Sequence, residues 1–378
     1  MNLLALFFVI DHSHSKKRIH AFKNNVEKLT IVSYYRNDSI SYENHFNLGK
    51  IPQNKYLLRF SKIIFDIPRL LKIMFNNPNI DVVYAWNFDI ALLFILTKMF
   101  TKRQYKFVYE VADVKPILLS KSVWGKILRK FEQFILSNTD YLCVTSQDYI
   151  TNYFNKYYSC QSKIHILENK VFPKINYKIQ NDELTELPDK SKWKIGLVGI
   201  FRCKTSLHLL TDLAKSLPSK VEIILAGKYE RHAEEAFNKL ACLDNVNNIG
   251  EYRYPDSLLS IYSKIDIVWS ADFSDPSDNS KWLLPNRIYE AGLFSVPQLC
   301  FSINKAISNY IKSLNIGWVL EEANIESLLR FFVSLTDEKY QQVQSNYNGL
   351  SANQFSGDEQ VKALLNDVKS KLQYEKNN

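Results

Sequence analysis

The chain has 378 residues, of which 46% are hydrophobic and 23% charged, the balance of an ordinary globular protein with material for about two domains. The formal net charge of +9 is unevenly held: residues 1–190 carry 27 Lys and Arg against 17 Asp and Glu, and the remainder 21 against 22. Five scattered cysteines (Cys143, Cys160, Cys203, Cys242, Cys300) with no C-x-x-C and no nearby His cluster argue against a zinc site and against a disulfide framework, and for a reducing cytoplasm.

The chain opens on "LLALFFVI" (Leu3–Ile10). No basic residue precedes this run and charge follows it at once, the reverse of a signal peptide, so it reads as a first buried strand. "KRIHAFKNN" then reads as helix and "KLTIVSYY" as strand. Lys55–Phe75 alternates basic and apolar patches, as either a core-facing amphipathic helix or one lying in a membrane interface would. "DVVYAW" (Asp81–Trp86) is strand-like. "IALLFILTKMF" (Ile90–Phe100) is too short to span a bilayer and reads as a core helix. "YKFVYEVAD" (Tyr105–Asp113) and "YLCVTS" (Tyr141–Ser146) repeat the strand pattern. Such continuous β-branched and aromatic runs suit parallel strands covered on both faces. "NDELTELPDKSKW" (Asn181–Trp193) is polar, aperiodic and carries a Pro, so it reads as a linker.

The strand–helix alternation then restarts with "KIGLVGIF" (Lys194–Phe201), "SLHLLTDLAKSL", "VEIILAG" (Val221–Gly227), "VNNIGEY" and "IDIVWSA" (Ile265–Ala271). Gly357–Gln373 reads as one amphipathic helix with Asp and Glu at its start. The expected fold class is therefore α/β: two Rossmann-like domains with a hinge between them and a cleft at the carboxyl ends of their strands. The expected segments are an N-terminal domain over 1–180, a C-terminal one over 192–356, and a last helix over 357–378 that returns to the first domain.

At "VGIFRCK", "EIILAG", "NVNNIGEYRYPDSLLSIYSKIDIVWSA" and "PNRIYEAGLFSVP", taken in this order, the second half resembles the nucleotide-sugar-binding domain of GT-B glycosyltransferases of the family 4 type. "VYEVADV" (Val108–Val114), "YLCVTSQDYITNYF" and "KIHILENKV" (Lys163–Val171) extend the resemblance over nearly the whole chain. It implies transfer of a sugar from a UDP- or GDP-type donor to a hydroxyl of a glycan or polyprenyl-diphosphate-linked acceptor. It further implies retention of configuration, no metal and no cofactor, and a place in bacterial capsule, exopolysaccharide or lipopolysaccharide synthesis. The protein would be cytoplasmic, with peripheral contact to an anionic membrane surface. Nucleic acid is not an expected partner, because the basic residues form no stripe with aromatics.

A diphosphate needs cations or backbone N–H donors. Gly199, Arg202 and Lys204 at a strand end, and Asn286 and Arg287 at the start of a helix that Pro285 introduces, are the matching positions; on spacing alone, Arg202 and Lys204 are equally two solvated loop cations. Glu290 matches the family's ribose-binding carboxylate, which accepts two hydroxyl donors; the alternative is a Glu paired with Arg287. The family's second acidic residue, eight positions earlier, is here Trp282, with Asp278 and Ser280 as nearby substitutes for contacts to the donor sugar. Ser295 stands where a Gly is usual. In the acceptor half, Asp113 is the candidate that orients or deprotonates the acceptor hydroxyl, or else a helix N-cap. His12 and His14 lie in the first strand–helix loop on the acceptor side. Lys16, Lys17 and Arg18 after them either meet an acceptor phosphate or form a solvated turn. Two other readings stay open. One is a degenerate GT-B protein that binds a nucleotide sugar or scaffolds an assembly, which Trp282 favours. The other is a GT-B-fold sugar-nucleotide epimerase, which the scarcity of His disfavours.

Overall fold

The computed structural model describes every residue except 38, 53–55, 160, 172–191, 274–281, 283 and 378. The expected linker therefore lies almost wholly outside the described residues, and Trp193 at its end opens a strand. The chain forms two compact units, Met1–Glu168 with Gly357–Asn378, and Asn169–Ser356.

The first unit is a seven-stranded parallel sheet in the order β3-β2-β1-β4-β5-β6-β7. Its strands are β1 (Asn2–Phe7), β2 (Lys28–Tyr35), β3 (His45–Lys50), β4 (Val82–Trp86), β5 (Lys106–Val111), β6 (Tyr141–Val144) and β7 (Lys163–Ile166). The second unit is a six-stranded parallel sheet in the order β10-β9-β8-β11-β12-β13. Its strands are β8 (Trp193–Phe201), β9 (Val221–Tyr229), β10 (Val246–Gly250), β11 (Ile267–Trp269), β12 (Gln298–Phe301) and β13 (Gly317–Leu320). The helices used below are α1 (Ser13–Lys23), α2 (Tyr56–Asn76), α3 (Phe88–Lys98), α4 (Val123–Leu136), α5 (Lys204–Ser216), α6 (Asn286–Leu293) and α7 (Asp358–Asn377).

The strands form where the apolar runs are. β4 is buried along its whole length, as are five of the six residues of β1 and of β5, because helices cover both faces. α3 is buried on nearly every side. α7 belongs to the first unit through side-chain contacts with β7 and the residues after it: His165 Nε2 lies 2.9 Å from Asp367 Oδ2, and the Gln360 amide pairs with Glu168. Among the described residues, no helix is long and apolar enough to cross a membrane.

Each sheet has one point where the strand order reverses direction, between β1 and β4 and between β8 and β11. Open parallel sheets bind ligands beside the carboxyl ends of strands at such points.

Candidate functional site

At the β1–β4 switch point the central group is Glu110, which is fully buried in β5. A charge inside a parallel strand must be paired. Arg18, on α1, donates from Nε to Oε2 (2.9 Å) and from Nη2 to Oε1 (2.8 Å), and Nη2 also reaches the Leu167 carbonyl at 2.8 Å. Tyr84 Oη donates to Oε2 at 2.5 Å, and His14 Nε2 lies 2.9 Å from Oε1. Burial alone would push the Glu110 carboxyl up, but the Arg18 charge and then His14 outweigh it and hold it well below the usual carboxylate range. Arg18 is thus neither part of a solvated turn nor free for an acceptor phosphate. It and His14 sit four residues apart on one face of α1, aimed at Glu110. Lys17 is buried as well.

His14 stacks on Trp86 with ring centroids 4.7 Å apart, and burial lowers its pKa against the pull of Glu110. His12 caps α1, its Nδ1 accepting from the His14 amide (3.2 Å). Desolvation in the loop, then the charges of His14 and Arg36, push it down to about 4. The residue is nonetheless open to solvent on one side, which tempers the desolvation, and the geometry supports a neutral imidazole at pH 7. Asp113 is exposed, two residues beyond β5. Lys115, not Asp113, caps the short helix Pro116–Leu119 that follows.

The second cluster lies at the β8–β11 switch point. Gly199 (φ +111°) and Gly227 (φ +143°) face each other in the register of β8 and β9. A Cβ on Gly227 would stand 1.8 Å from the Gly199 carbonyl oxygen, whereas one on Gly199 would meet open space. Gly227→Ala is therefore expected to cost about 2–5 kcal/mol, from left-handed backbone plus overpacking, and Gly199→Ala only about 1–2 kcal/mol. Urea unfolding of the two variants measures the difference, and equal losses would contradict this account.

Beyond Gly199, β8 delivers Arg202 and Cys203 to the start of α5. Cys203 caps the helix, its sulfur accepting from the Ser206 (3.4 Å) and Phe273 (3.2 Å) amides. Asp272, after β11, is shared by two arginines: its Oδ2 lies 3.3 Å from Arg202 Nη2 and 3.7 Å from Arg287 Nη2. Arg287 also donates to the Ala271 carbonyl at 3.3 Å. Arg202 is about half exposed, while Arg287 is buried in the first turn of α6. Lys204 is exposed at the start of α5, and Asn286, half-buried, opens α6. Glu290 is buried one turn further along α6 and accepts from Tyr262 Oη at 2.9 Å. Burial and then the Glu290 charge raise the pKa values of Tyr252 and Tyr262. Trp282 is half-buried, and Asp278 and Ser280 lie outside the described residues.

The structure therefore brings Arg202 and Arg287 together on Asp272, and His12 and His14 together on Trp86. Sequence reasoning missed Glu110, Asp272 and Tyr262. Only Glu110 leaves a signal, a charge in the middle of an apolar run. Among the described residues, no three His, Cys, Asp or Glu side chains group as a metal set would. A hollow of about 640 Å³ lies instead at the amino ends of β4–β6. Its Lys106 is already paired with Asp140 (3.5 Å) and Glu375 (2.5 Å), and strand amino ends are not where such sheets bind ligands.

Two parallel sheets, each doubly wound, with a polar cluster at each switch point, define the GT-B fold, and the solved structures agree. Over 99% of this chain and 100% of the other, it superposes on sucrose-phosphate synthase from Thermosynechococcus elongatus with a TM-score of 0.71 and 12% identity. Over 98% of this chain it superposes on all of Anabaena HepE in complex with UDP, with a TM-score of 0.65 and 14% identity. By sequence, the chain is 26% identical over 321 residues to the succinoglycan biosynthesis protein ExoL of Rhizobium meliloti, covering 83% of this chain and 79% of that one. No family profile matches it.

Proposed function

We propose that this chain is a glycosyltransferase of bacterial surface-polysaccharide synthesis, moving a sugar from a nucleotide sugar to a glycan hydroxyl. The observation that carries the reading is the pair Arg202 and Arg287 on Asp272 at the β8–β11 switch point, with Glu290 one turn beyond. Two cations beside a helix N-terminus suit a diphosphate, and a buried carboxylate suits ribose hydroxyls. The likeness to ExoL and to HepE, a protein crystallised with UDP, supports the same reading. In transfer, the bond from the sugar to the diphosphate breaks, and the arginines stabilise the leaving charge. The acceptor oxygen bonds the sugar and its proton passes to the departing diphosphate oxygen, with Asp113 orienting the hydroxyl. By resemblance, configuration is retained and neither metal nor cofactor takes part. The acceptor is a glycan, free or carried on a polyprenyl diphosphate at the cytoplasmic face of an anionic membrane. Trp282, in place of an acidic residue, favours a second reading, a protein that binds nucleotide sugar without transferring it; sugar release from the donor decides between the two.

A thermal-shift panel of nucleoside diphosphates and sugar nucleotides tests the donor site, because a ligand that binds only the folded chain raises its melting temperature. One base, uracil or guanine, is expected to stabilise the protein, and the double variant Arg202→Met/Arg287→Met to lose most of that shift. A panel that leaves the wild-type melting temperature unmoved overturns the donor site.

A further inference from the structure

The helix α4 presents an unusual outer face. Its inner face is anchored: Gly125, Glu132, Ile135 and Leu136 are buried, and Ser122 caps the first turn by accepting from the Gly125 amide at 3.0 Å. A Cβ on Gly125 would stand 2.6 Å from the Ile117 carbonyl and the Ser120 hydroxyl, so the helix is pressed close to the turn before it. The opposite face carries Trp124 (67% exposed), Ile127 (37%), Phe131 (38%) and Phe134 (40%). At about 100° per residue these positions fall within an arc of roughly 80°, and Val123, also exposed, widens it to about 100°. Lys126 and Lys130 lie along one edge of that arc, both exposed and neither ion-paired among the described residues. The helix's one acid, Glu132, points inward, where Tyr109, Tyr153 and Tyr158 donate to it.

We infer that this face of α4 is an insertion surface for an anionic lipid bilayer. It rests on the reading that the enzyme works at a membrane, but not on the identity of its donor. An apolar stripe headed by Trp and bordered by unpaired lysines matches a helix lying in the headgroup region. Charge complementarity favours a bilayer over a second copy of the chain, because anionic headgroups would meet Lys126 and Lys130, whereas a second such face offers them no acid and in an antiparallel pair sets them against their own kind. Lys55–Phe75, which the sequence left as either a core-facing helix or one lying in a membrane interface, carries its charges differently. α2 does expose Leu58, Phe60, Ile64, Phe65 and Phe75, yet three of its four described cations are paired, Arg59 with Asp89 and Lys62 and Arg69 with Asp66. Since α2 and α4 both contact α3, the two lie on the same side of the sheet; α4 offers two exposed lysines without an ion pair among the described residues, where α2 offers one, Lys72.

Co-sedimentation of the full chain with phosphatidylcholine vesicles, with and without phosphatidylglycerol, tests the inference. Wild type is expected to pellet with the anionic vesicles, less so in high salt. Trp124→Ser/Phe131→Ser is expected to weaken binding more than tenfold. Lys126→Gln/Lys130→Gln is expected to weaken it by about fivefold per lysine, and only on anionic vesicles. Phe65→Ser on α2 should change it little. Wild type that stays in the supernatant overturns the inference, as does binding that neither α4 variant alters or that Phe65→Ser abolishes. So does a solution dimer that Trp124→Ser/Phe131→Ser dissolves in the absence of vesicle binding. The nucleotide thermal shift is independent of all these outcomes, so a failed donor site and a failed membrane face are told apart.

Discussion

Glu110→Gln is expected to destabilise the protein by about 3–5 kcal/mol at neutral pH, because it leaves the buried Arg18 guanidinium without its counter-charge. Arg18 is 1% exposed and Glu110 is fully buried, so water cannot compensate. Arg18 keeps its bond to the Leu167 carbonyl but faces no carboxylate, and Tyr84 loses a charged acceptor. The pH dependence follows from the same pairing. The folded-state pKa of Glu110 lies below its unfolded value, so its contribution is present above the unfolded pKa and is lost as pH falls through that value towards the folded one. Asp89 has the same sign: burial pushes it up, but Lys115 and then Arg59 hold it down. Glu132 has the opposite sign, since burial raises it despite three tyrosine donors; its ionisation costs stability, a cost that fades on acidification. Denaturant unfolding between pH 3 and 8 should therefore show wild type losing stability below about pH 4.5, the unfolded range for a glutamate, and Glu110→Gln losing distinctly less. If Glu110→Gln matches wild type within about 1 kcal/mol at pH 7, the network does not organise this unit. The double replacement Arg18→Met/Glu110→Leu, which removes both charges, should be milder than Glu110→Gln.

That network also marks where the sequence stops being readable. The strands were legible because a parallel strand covered on both faces shows as an unbroken apolar run, and β1, β4, β5, β8 and β9 are such runs. β3 left little trace: as an edge strand it buries only Leu48 of its six residues. β12 and β13 went unread although they are no shorter than β6; none of the four residues of β13 is fully buried, so no apolar run marks it. Among site residues, Arg202, Arg287 and Glu290 were legible through motif order, since spacing alone left Arg202 a loop cation. Arg18 was misread because a basic tripeptide suggests solvent, and only its i, i+4 relation to His14 hints that both face inward. Asp272 and Tyr262 were unreadable, since their roles depend on which strand ends the fold brings together. Ser295 takes φ +55°, so the left-handed turn that a Gly usually supplies is kept at some backbone cost.

Glu290→Gln is the change expected to affect donor binding most, and it separates a ligand-binding carboxylate from a structural one. Glu290 is buried and its Oε2 accepts from Tyr262; an ionised carboxylate in that setting is costly without full compensation. If it is held there for a ribose, the amide is nearly isosteric, keeps an acceptor for Tyr262 and removes a buried charge, so the unliganded protein should melt at the same temperature or higher. Nucleotide affinity should meanwhile fall by about tenfold to a hundredfold, because hydrogen bonds to a charged acceptor are worth about 1.5–3 kcal/mol. A purely structural Glu290 predicts the reverse: a lower melting temperature for the free variant and an undiminished nucleotide shift. Glu290→Ala would blur this contrast, since it also opens a cavity beside Tyr262. Titrating the stabilising nucleotide calorimetrically into wild type and Glu290→Gln, with melting curves of both free proteins, gives the two numbers needed. Intact affinity with lowered stability would remove Glu290 from the donor site and leave the arginine pair on Asp272 as its whole support.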